Sequence, residues 1–311
     1  MKRQPVVLFA CFGVKAERWL HVLTPLAVAF ELRTWPAAGD IGEIDYIITW
    51  APPHGFFTQF VNLKAIFSIG AGVDSLLLDP ALPDIPVARM IDESLTVGMA
   101  EFVLTQALHY HRAIPTYQQY QAQREWHPVS VPLARERIVG IMGMGELGRA
   151  TASMVRGAGF KVRGWSRQAR PVDGVDTFAG TDQLDAFLNG CMIVVCLLPL
   201  TAATHGILNR TLFSRLNGAY LISVGRGPHL VEEDLIPALD AGHLAGATLD
   251  VFVTEPLPSD HPFWVDPRIF ITPHASALTH ATTAGPKIVD NILRAIAGKP
   301  LLDVVDRAEG Y

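Results

Sequence analysis

The chain has 311 residues with 25 Lys or Arg and 30 Asp or Glu, so its formal net charge at pH 7 is −5. Half of the residues are apolar and 18% are charged, which excludes an intrinsically disordered chain. The composition lacks the basic patch of a nucleic-acid-binding protein, and no apolar run reaches the ~20 residues that span a membrane. Three cysteines, Cys11, Cys191 and Cys196, are too few for a disulfide framework, and we expect a two-domain cytoplasmic protein.

Apolar runs alternate with helical patterns along most of the chain, which is typical of βαβ units around parallel sheets. The first predicted strands are Val6–Phe9, Tyr46–Trp50, Ala65–Ile69 and Val87–Met90. Apolar residues at helical spacing predict a helix between Lys15 and Phe30. A longer helix is predicted from Val97 to about Gln121, and Pro115 is expected to kink or split it.

A second series of six strands follows the loop around Pro128 and Pro132. These predicted strands are Ile138–Met142, Lys161–Trp165, Met192–Leu198, Ala219–Val224, Gly246–Val251 and Ile269–Thr272. Six is the number of strands in a doubly wound dinucleotide-binding sheet. A last helix is predicted over Ile288–Ile296.

A glycine-rich turn connects the first strand of this series to a helical pattern. Its sequence is Gly143-Met144-Gly145-Glu146-Leu147-Gly148, and strand, G-x-G-x-x-G and helix in that order form the dinucleotide-binding fingerprint. We expect Gly143 to make the tight turn, Gly145 to admit a pyrophosphate and Gly148 to let the helix pack on the sheet. Glu146 and Leu147 belong to the same expected cofactor contact.

The end of the next strand bears on the choice between NADH and NADPH. A site for NAD has an Asp or Glu about 20 residues after the turn, to bind the ribose 2′-hydroxyl. Here the strand ends in Ser166 and Arg167, with Arg170 close behind. A hydroxyl and guanidinium groups would bind a 2′-phosphate, so we expect NADPH to be favoured over NADH. A solvated loop with two surface arginines is the alternative.

Three further polar segments follow strands of this series, at the sheet edge where ligands of doubly wound folds bind. They contain Arg226, Glu255 and His274. Arg is suited to a carboxylate and a neighbouring carbonyl oxygen, His can give that oxygen a proton, and a carboxylate beside it favours the imidazolium. Each residue alone is more often a surface residue. The three together indicate the reduction of a 2-oxo acid.

These motifs resemble those of the D-isomer-specific 2-hydroxyacid dehydrogenase family along essentially the whole chain. The segments that carry the resemblance are Gly143–Gly148, Gly225-Arg226-Gly227, Asp250-Val251-Phe252 through Glu255-Pro256-Leu257, and Thr272-Pro273-His274. The resemblance implies an α/β protein of two doubly wound domains with parallel sheets. A flavodoxin-like substrate domain would hold residues 1–99 and 284–311, and a Rossmann cofactor domain would hold residues 100–283. A homodimer is also implied.

The resemblance also implies residue roles. Arg226, Glu255 and His274 would be catalytic, and Arg226 would bind the substrate carboxylate. Further substrate contacts would come from Trp50 and from the backbone of Ala71, Gly72 and Val73. Further cofactor contacts would come from Leu198, Pro199, Val224, Gly225 and Asp250, the last near the nicotinamide.

The expected activity is NADPH-dependent reduction of glyoxylate and hydroxypyruvate, because segments such as Ile69–Ser75 resemble members that act on small 2-oxo acids. Two positions depart from the pattern: Ser223 stands where the family often has Asn, and His280 where the nearest members have Arg. A bulkier substrate such as phenylpyruvate therefore stays an alternative. A non-catalytic NAD(P)-sensing regulatory dimer is the alternative from another class. No metal site is predicted, because His109 and His111 cannot share a helix face.

Overall fold

The structure is a computed structural model, and it describes residues 3–168, 171–308 and 310. Arg170 of the predicted phosphate loop lies outside the described residues. The chain divides into two units: unit 1 is Met1–Leu95 with Leu278–Tyr311, and unit 2 is Thr96–Ala277. No helix within the described part of the chain is long and apolar enough to cross a membrane.

Unit 1 contains a parallel sheet of five strands in the order β2-β1-β3-β4-β5. The strands are β1 (Val6–Cys11), β2 (Glu31–Thr34), β3 (Ile44–Trp50), β4 (Ala65–Ser68) and β5 (Val87–Ala88). The central strands β1 and β3 are buried along nearly their whole length, as expected for a parallel sheet covered on both faces. This strand order is that of the flavodoxin-like fold.

Unit 2 contains a parallel sheet of seven strands in the order β12-β11-β10-β9-β6-β7-β8. The strands are β6 (Ile138–Met142), β7 (Lys161–Ser166), β8 (Asp176–Ala179), β9 (Cys191–Cys196), β10 (Ala219–Ser223), β11 (Leu244–Leu249) and β12 (Ile269–Ile271). From β8 to β11 the order is the 3-2-1-4-5-6 order of the Rossmann fold, and β12 extends it by one strand.

Nine α-helices are described in the chain. They are α1 (Ala16–Leu26), α2 (Asp74–Leu77), α3 (Glu93–His111), α4 (Ile114–Gln123), α5 (Glu146–Gly157), α6 (Leu184–Leu188), α7 (Arg210–Phe213), α8 (Glu232–Asp240) and α9 (Ala281–Ile296). In unit 1, α9 packs closely on α1, because Gly285 leaves room for Val22: a Cβ at residue 285 would lie 2.8 Å from Val22 Cγ1.

The predicted α/β class with two doubly wound parallel sheets is confirmed. Two strands were missing from the prediction, β2 and β8. Each lies beside only one other strand at a sheet edge, is four residues long and is at most half-buried, so neither carries a strong apolar pattern. The helix predicted from Val97 to Gln121 is split at Ala113, whose φ is +55°, and Pro115 lies in the first turn of α4.

Candidate active site

The glycine turn between β6 and α5 is shaped by two close backbone approaches. Gly143 has φ +106°, and a Cβ there would lie 2.6 Å from Leu197 O. A Cβ on Gly148 would lie 1.8 Å from Gly143 O, so the first turn of α5 packs directly on the preceding loop. Neither position can hold a larger residue without moving the backbone.

Gly145 differs from the other two glycines of the turn. Its φ is −77°, and a Cβ built there meets nothing within 4 Å. Gly145 caps α5, whose first-turn N–H groups and partial positive charge are suited to an anion. The open space therefore fits a pyrophosphate, and the protein itself has no need of glycine at this position. Glu146, the first residue of α5, forms an ion pair with Arg149, and Leu147 is half-buried behind it.

The loop after β7 begins with an ordered turn. Trp165 is buried and donates from Nε1 to Gly180 O at 2.8 Å, which joins the end of β7 to the end of β8. Ser166 Oγ donates to Gln168 O at 2.6 Å. Arg167 follows as an exposed residue. No carboxylate occupies residues 166–168 of this loop, so their donors are compatible with a phosphate.

His274 and Glu255 lie together beyond the carboxyl ends of β12 and β11. His274 Nδ1 and Glu255 Oε2 are 2.8 Å apart, and Glu255 Oε1 accepts a hydrogen bond from Phe252 N–H at 3.0 Å. Burial alone would raise the pKa of Glu255, but these two hydrogen bonds and the charges of His274 and Arg226 outweigh it and lower that pKa. Glu255 is therefore a carboxylate at neutral pH, and it orients the imidazole through Nδ1.

The His274 backbone is held in an unusual conformation by Asp250. His274 has φ +51°, which costs a residue with a side chain about 1–2 kcal/mol, and its N–H donates to Asp250 O at 2.8 Å. The fully buried Asp250 carboxylate accepts hydrogen bonds from Thr272 Oγ1 at 2.6 Å, Ala275 N at 2.8 Å and Ser276 N at 3.0 Å. Asp250, expected near the nicotinamide, thus has both carboxylate oxygens engaged by the loop that carries His274.

Arg226 lies in a turn with a glycine on either side; the neighbours of Gly225 leave little room for a side chain, and those of Gly227 leave none. A Cβ on Gly225 would lie 3.1 Å from Leu198 O, and one on Gly227 would lie 1.9 Å from the carbonyl carbon of Phe252. The Arg226 turn therefore packs against the segment after β9 and against the Glu255 loop. The Arg226 guanidinium donates from Nη1 to Gly225 O at 2.8 Å.

The remaining predicted cofactor residues follow the same edge of the sheet. Leu198 and Pro199 lie two and three residues after the end of β9, and Val224 comes directly after β10. Leu198 and Val224 are buried, and Pro199 is partly exposed. Since β6, β9, β10, β11 and β12 are neighbours in one parallel sheet, unit 2 brings the glycine turn, Arg226, Glu255 and His274 to one edge.

Sequence reasoning missed His229, a fully buried residue in the turn after Arg226. Its Nδ1 accepts a hydrogen bond from Arg226 N–H at 3.0 Å, and its Nε2 lies 3.2 Å from Pro199 O. A single histidine three residues after an arginine carries no recognisable pattern. The one available signal is Gly225, because a glycine beside Arg226 indicates that another group packs closely on this turn.

The predicted substrate residues of unit 1 cluster around the loop after β4. The Trp50 ring lies on Gly70, where a Cβ would come 1.9 Å from Trp50 Cζ3. Within the described residues, nothing accepts a hydrogen bond from the N–H groups of Ala71, Gly72 and Val73. The Val73 side chain itself is buried, so this residue can reach a ligand only through its backbone.

The two positions that depart from the family pattern have different surroundings. Ser223 is buried at the end of β10, and its Oγ has no hydrogen-bond partner among the described residues. His280 is exposed and precedes α9 in unit 1. Thr279 Oγ1 donates to Ile69 O at 2.7 Å, which holds the backbone before His280 against the 69–73 loop.

Comparison with known proteins gives the same family over nearly the full chain. The family model described as D-isomer specific 2-hydroxyacid dehydrogenase, NAD binding domain, matches residues 104–276. The chain is 44% identical to the glyoxylate/hydroxypyruvate reductase A of Serratia proteamaculans, over 95% of this chain and 96% of that protein. It is 41% identical to the protein of the same name from Yersinia enterocolitica, over 96% and 97%.

Solved structures agree. A D-isomer specific 2-hydroxyacid dehydrogenase from Xanthobacter autotrophicus, in complex with NADPH and MES, has a TM-score of 0.94 and 41% identity over 99% of this chain and 100% of that chain. The NADPH-dependent glyoxylate/hydroxypyruvate reductase of Sinorhizobium meliloti, in complex with NADP and sulfate, has a TM-score of 0.93 and 38% identity over the same shares. These matches confirm the resemblance drawn from the motifs. The chain therefore belongs to the D-isomer specific 2-hydroxyacid dehydrogenase family of oxidoreductases.

Proposed function

We propose that this protein is an NADPH-dependent reductase of small 2-oxo acids that converts glyoxylate to glycolate and hydroxypyruvate to D-glycerate. The observation that carries the proposal is the 2.8 Å hydrogen bond between His274 Nδ1 and Glu255 Oε2, close to the Arg226 charge. A proton donor, its carboxylate partner and a guanidinium at one sheet edge are what 2-oxo acid reduction needs.

His274 is the proposed proton donor. Its Nδ1 is engaged by Glu255, whereas its Nε2 has no partner within the part of the chain that the structure describes. Nε2 is thus the atom that can give its proton to the carbonyl oxygen as the carbonyl becomes a hydroxyl. Glu255 stabilises the imidazolium before this transfer and keeps the ring oriented during it.

Arg226 is the proposed anchor of the substrate. A guanidinium binds a carboxylate with paired hydrogen bonds and can also polarise the neighbouring carbonyl. The free N–H groups of Ala71, Gly72 and Val73 are proposed as further donors to the substrate carboxylate. Trp50, fixed on Gly70, is proposed as an apolar wall that limits substrate size.

NADPH is the proposed cofactor, and it supplies the hydride that the carbonyl carbon receives. The open space at Gly145 fits its pyrophosphate, and the exposed Arg167 supplies guanidinium donors for its 2′-phosphate. The Ser166 hydroxyl would join them by turning its proton from Gln168 O to the phosphate. The relative from Sinorhizobium meliloti is described as NADPH-dependent, and the structure from Xanthobacter autotrophicus contains NADPH. Both are similar to this chain through the whole of unit 2.

The protein is also proposed to form a homodimer through the segment that begins with α4. Four large apolar or aromatic residues are exposed between residues 114 and 133, and Trp126 is 95% exposed. The others are Ile114, Tyr117 and Leu133. Exposed apolar residues concentrated in one segment mark an interface. Light scattering should give twice the monomer mass, and Trp126→Ser should weaken the dimer while Trp264→Ser, at another exposed tryptophan, should not.

A reducing compartment, the cytoplasm, is the proposed location. All three thiols, Cys11, Cys191 and Cys196, are free, as is usual for cysteines in a reducing compartment. Cell fractionation with an antibody would test the location directly.

The proposed function is tested by following reduced-nicotinamide absorbance with NADPH or NADH and each of glyoxylate, hydroxypyruvate and phenylpyruvate. Rapid NADPH oxidation with either small acid is expected. His274→Ala should lower kcat at least ~100-fold with NADPH affinity retained, whereas His205→Ala, at an exposed histidine, should not. Turnover with phenylpyruvate alone would show that the enzyme acts on the bulkier alternative substrate rather than on the small 2-oxo acids. NADPH binding without turnover of any acid would favour the regulatory alternative.

A further inference from the structure

The buried imidazole of His229 connects two loops of the proposed active site. Its Nδ1 accepts from Arg226 N–H at 3.0 Å, so Nδ1 cannot itself carry a proton. The ring proton is then on Nε2, which lies 3.2 Å from Pro199 O and donates to it. His229 is therefore a neutral imidazole whose two nitrogens hold the Arg226 turn at one end and the segment after β9 at the other.

The His229 ring packs closely against the Arg226 turn. A Cβ on Gly225 would lie 3.0 Å from His229 Nδ1, so the peptide before Arg226 rests on the imidazole ring. On the other side of Arg226, Gly227 lies closer still to its neighbour, because a Cβ there would come 1.9 Å from the Phe252 carbonyl carbon. The Arg226 backbone is thus fixed between two packed surfaces, and the hydrogen bond to His229 sets its N–H direction.

The contact with the segment after β9 is equally well defined. Pro199 O also accepts a hydrogen bond from Thr204 Oγ1 at 2.6 Å, which closes the loop of residues 199–204. Leu208 N–H donates to His229 O at 2.9 Å and ties the following residues to the same turn. Any movement of the His229 ring would therefore shift the backbone at Arg226 and in the segment that begins with Leu198 and Pro199.

We infer that His229 is a positioning residue that sets the Arg226 guanidinium for the carboxylate of a 2-oxo acid by holding the Arg226 backbone N–H. This inference rests on the proposed role of Arg226 as the substrate anchor. It adds a residue that touches neither substrate nor cofactor and acts on the substrate through Arg226. The link from Nε2 to Pro199 O holds the ring in place, and the acceptor at Nδ1 does the positioning.

Two amide substitutions separate the two ends of the ring. Asn places its oxygen near the position of Nδ1, so His229→Asn keeps the acceptor for Arg226 N–H and loses the donor to Pro199 O. Gln places its amide nitrogen near the position of Nε2, so His229→Gln keeps the donor to Pro199 O and loses the acceptor. The exposed His205, which lies in the adjacent segment, gives the matched control His205→Gln.

Initial rates with glyoxylate and affinity for NADPH are measured for all four proteins. His229→Gln should raise the KM for glyoxylate about tenfold, the effect of one lost buried hydrogen bond, with the NADPH dissociation constant within about twofold of wild type. His229→Asn and His205→Gln should keep KM within about threefold. Equal KM changes in the Asn and Gln variants, or none in either, would overturn the inference.

A second measurement keeps the inference testable if no 2-oxo acid is turned over. Oxamate, an unreactive 2-oxo acid analogue, is titrated calorimetrically into each protein with NADPH, and the same tenfold weakening is expected for His229→Gln alone. Long-range ¹H–¹⁵N spectra, assigned with the His229→Asn variant, should show the His229 proton on Nε2. A proton on Nδ1 would refute the inference whatever the activity, whereas wild-type inactivity with normal oxamate behaviour would count against the proposed function alone.

Discussion

The buried carboxylate of Asp250 offers a strict test of how the His274 loop is held. Its Oδ1 accepts from Thr272 Oγ1 and Ala275 N–H, and its Oδ2 accepts from Ser276 N–H. Asp250→Asn keeps the shape but has one oxygen fewer, so the best orientation of the amide leaves the Ser276 N–H facing another donor. An unsatisfied buried donor costs about 1–3 kcal/mol.

Both stability and catalysis should respond to Asp250→Asn. A loss of 2 kcal/mol lowers Tm by about 4–8 °C in a unit of this size. The His274 conformation at φ +51° costs about 1–2 kcal/mol, and a weakened loop can release this strain by turning the imidazole away from Glu255. About 1.4 kcal/mol corresponds to a factor of ten, so kcat should fall about tenfold.

Thermal unfolding without ligands and initial rates with saturating NADPH measure the two effects. Asp260→Asn, at an exposed carboxylate in the same region, is the control and should stay within about 0.5 kcal/mol of wild type. If Asp250→Asn unfolds like wild type with normal kcat, Asp250 does not hold the loop. If it keeps its stability but loses NADPH affinity, the carboxylate acts at the nicotinamide instead.

Three further predictions follow from the glycine turn, His274 and Asp92. Gly145→Ala should fold with unchanged Tm, because the added Cβ contacts no protein atom and enters only the space expected for the cofactor. Fluorescence titration should show that this variant binds NADPH at least ~10-fold more weakly than wild type. Gly148→Ala should instead lose stability, because its Cβ would collide with Gly143 O. Chemical denaturation should find His274→Gly more stable than His274→Ala by about 0.5–1 kcal/mol, since glycine adopts positive φ without strain, and equal stabilities would contradict the strained φ. Burial alone would raise the pKa of Asp92, but hydrogen bonds from Ser94 and Thr283 and the Lys287 charge outweigh it and lower that pKa. The Asp92 carboxylate therefore stabilises unit 1 at any pH above the ordinary Asp pKa, and this contribution is lost as the pH falls through the lowered pKa. Asp92→Asn should therefore cost about 1–3 kcal/mol at pH 7, and the difference from wild type in unfolding scans should narrow below about pH 4.

The sequence predicts those parts of the molecule whose physics is local. The turn at Gly143–Gly148 needs glycines at fixed spacing between a strand and a helix, so the pattern and the geometry coincide. The central strands are continuous apolar runs because both faces are buried. The edge strands β2 and β8 lack that burial, and their sequences resemble loops.

Other features depend on distances between segments far apart in the chain. Nothing in the residues around His274 indicates a positive φ, because the conformation is imposed by Asp250 from the neighbouring strand end. The motif Asp250-Val251-Phe252 likewise gives no indication that the Asp250 carboxylate is buried. His229 acquires its importance only from the approach of the Arg226 peptide and Pro199.

The discontinuous chain of unit 1 has a consequence for the order of folding during synthesis. Its sheet is encoded by residues before Leu95, but the helix α9 that packs on α1 begins at Ala281. Val305, which packs in the apolar core of the unit 1 sheet, is synthesised after α9. At roughly 5–20 residues per second, the intervening Thr96–Ala277 segment occupies the ribosome for about 10–40 s. For that interval α1 has no α9 to pack against, so unit 2 is expected to fold first and a chaperone has a defined window in which to bind unit 1.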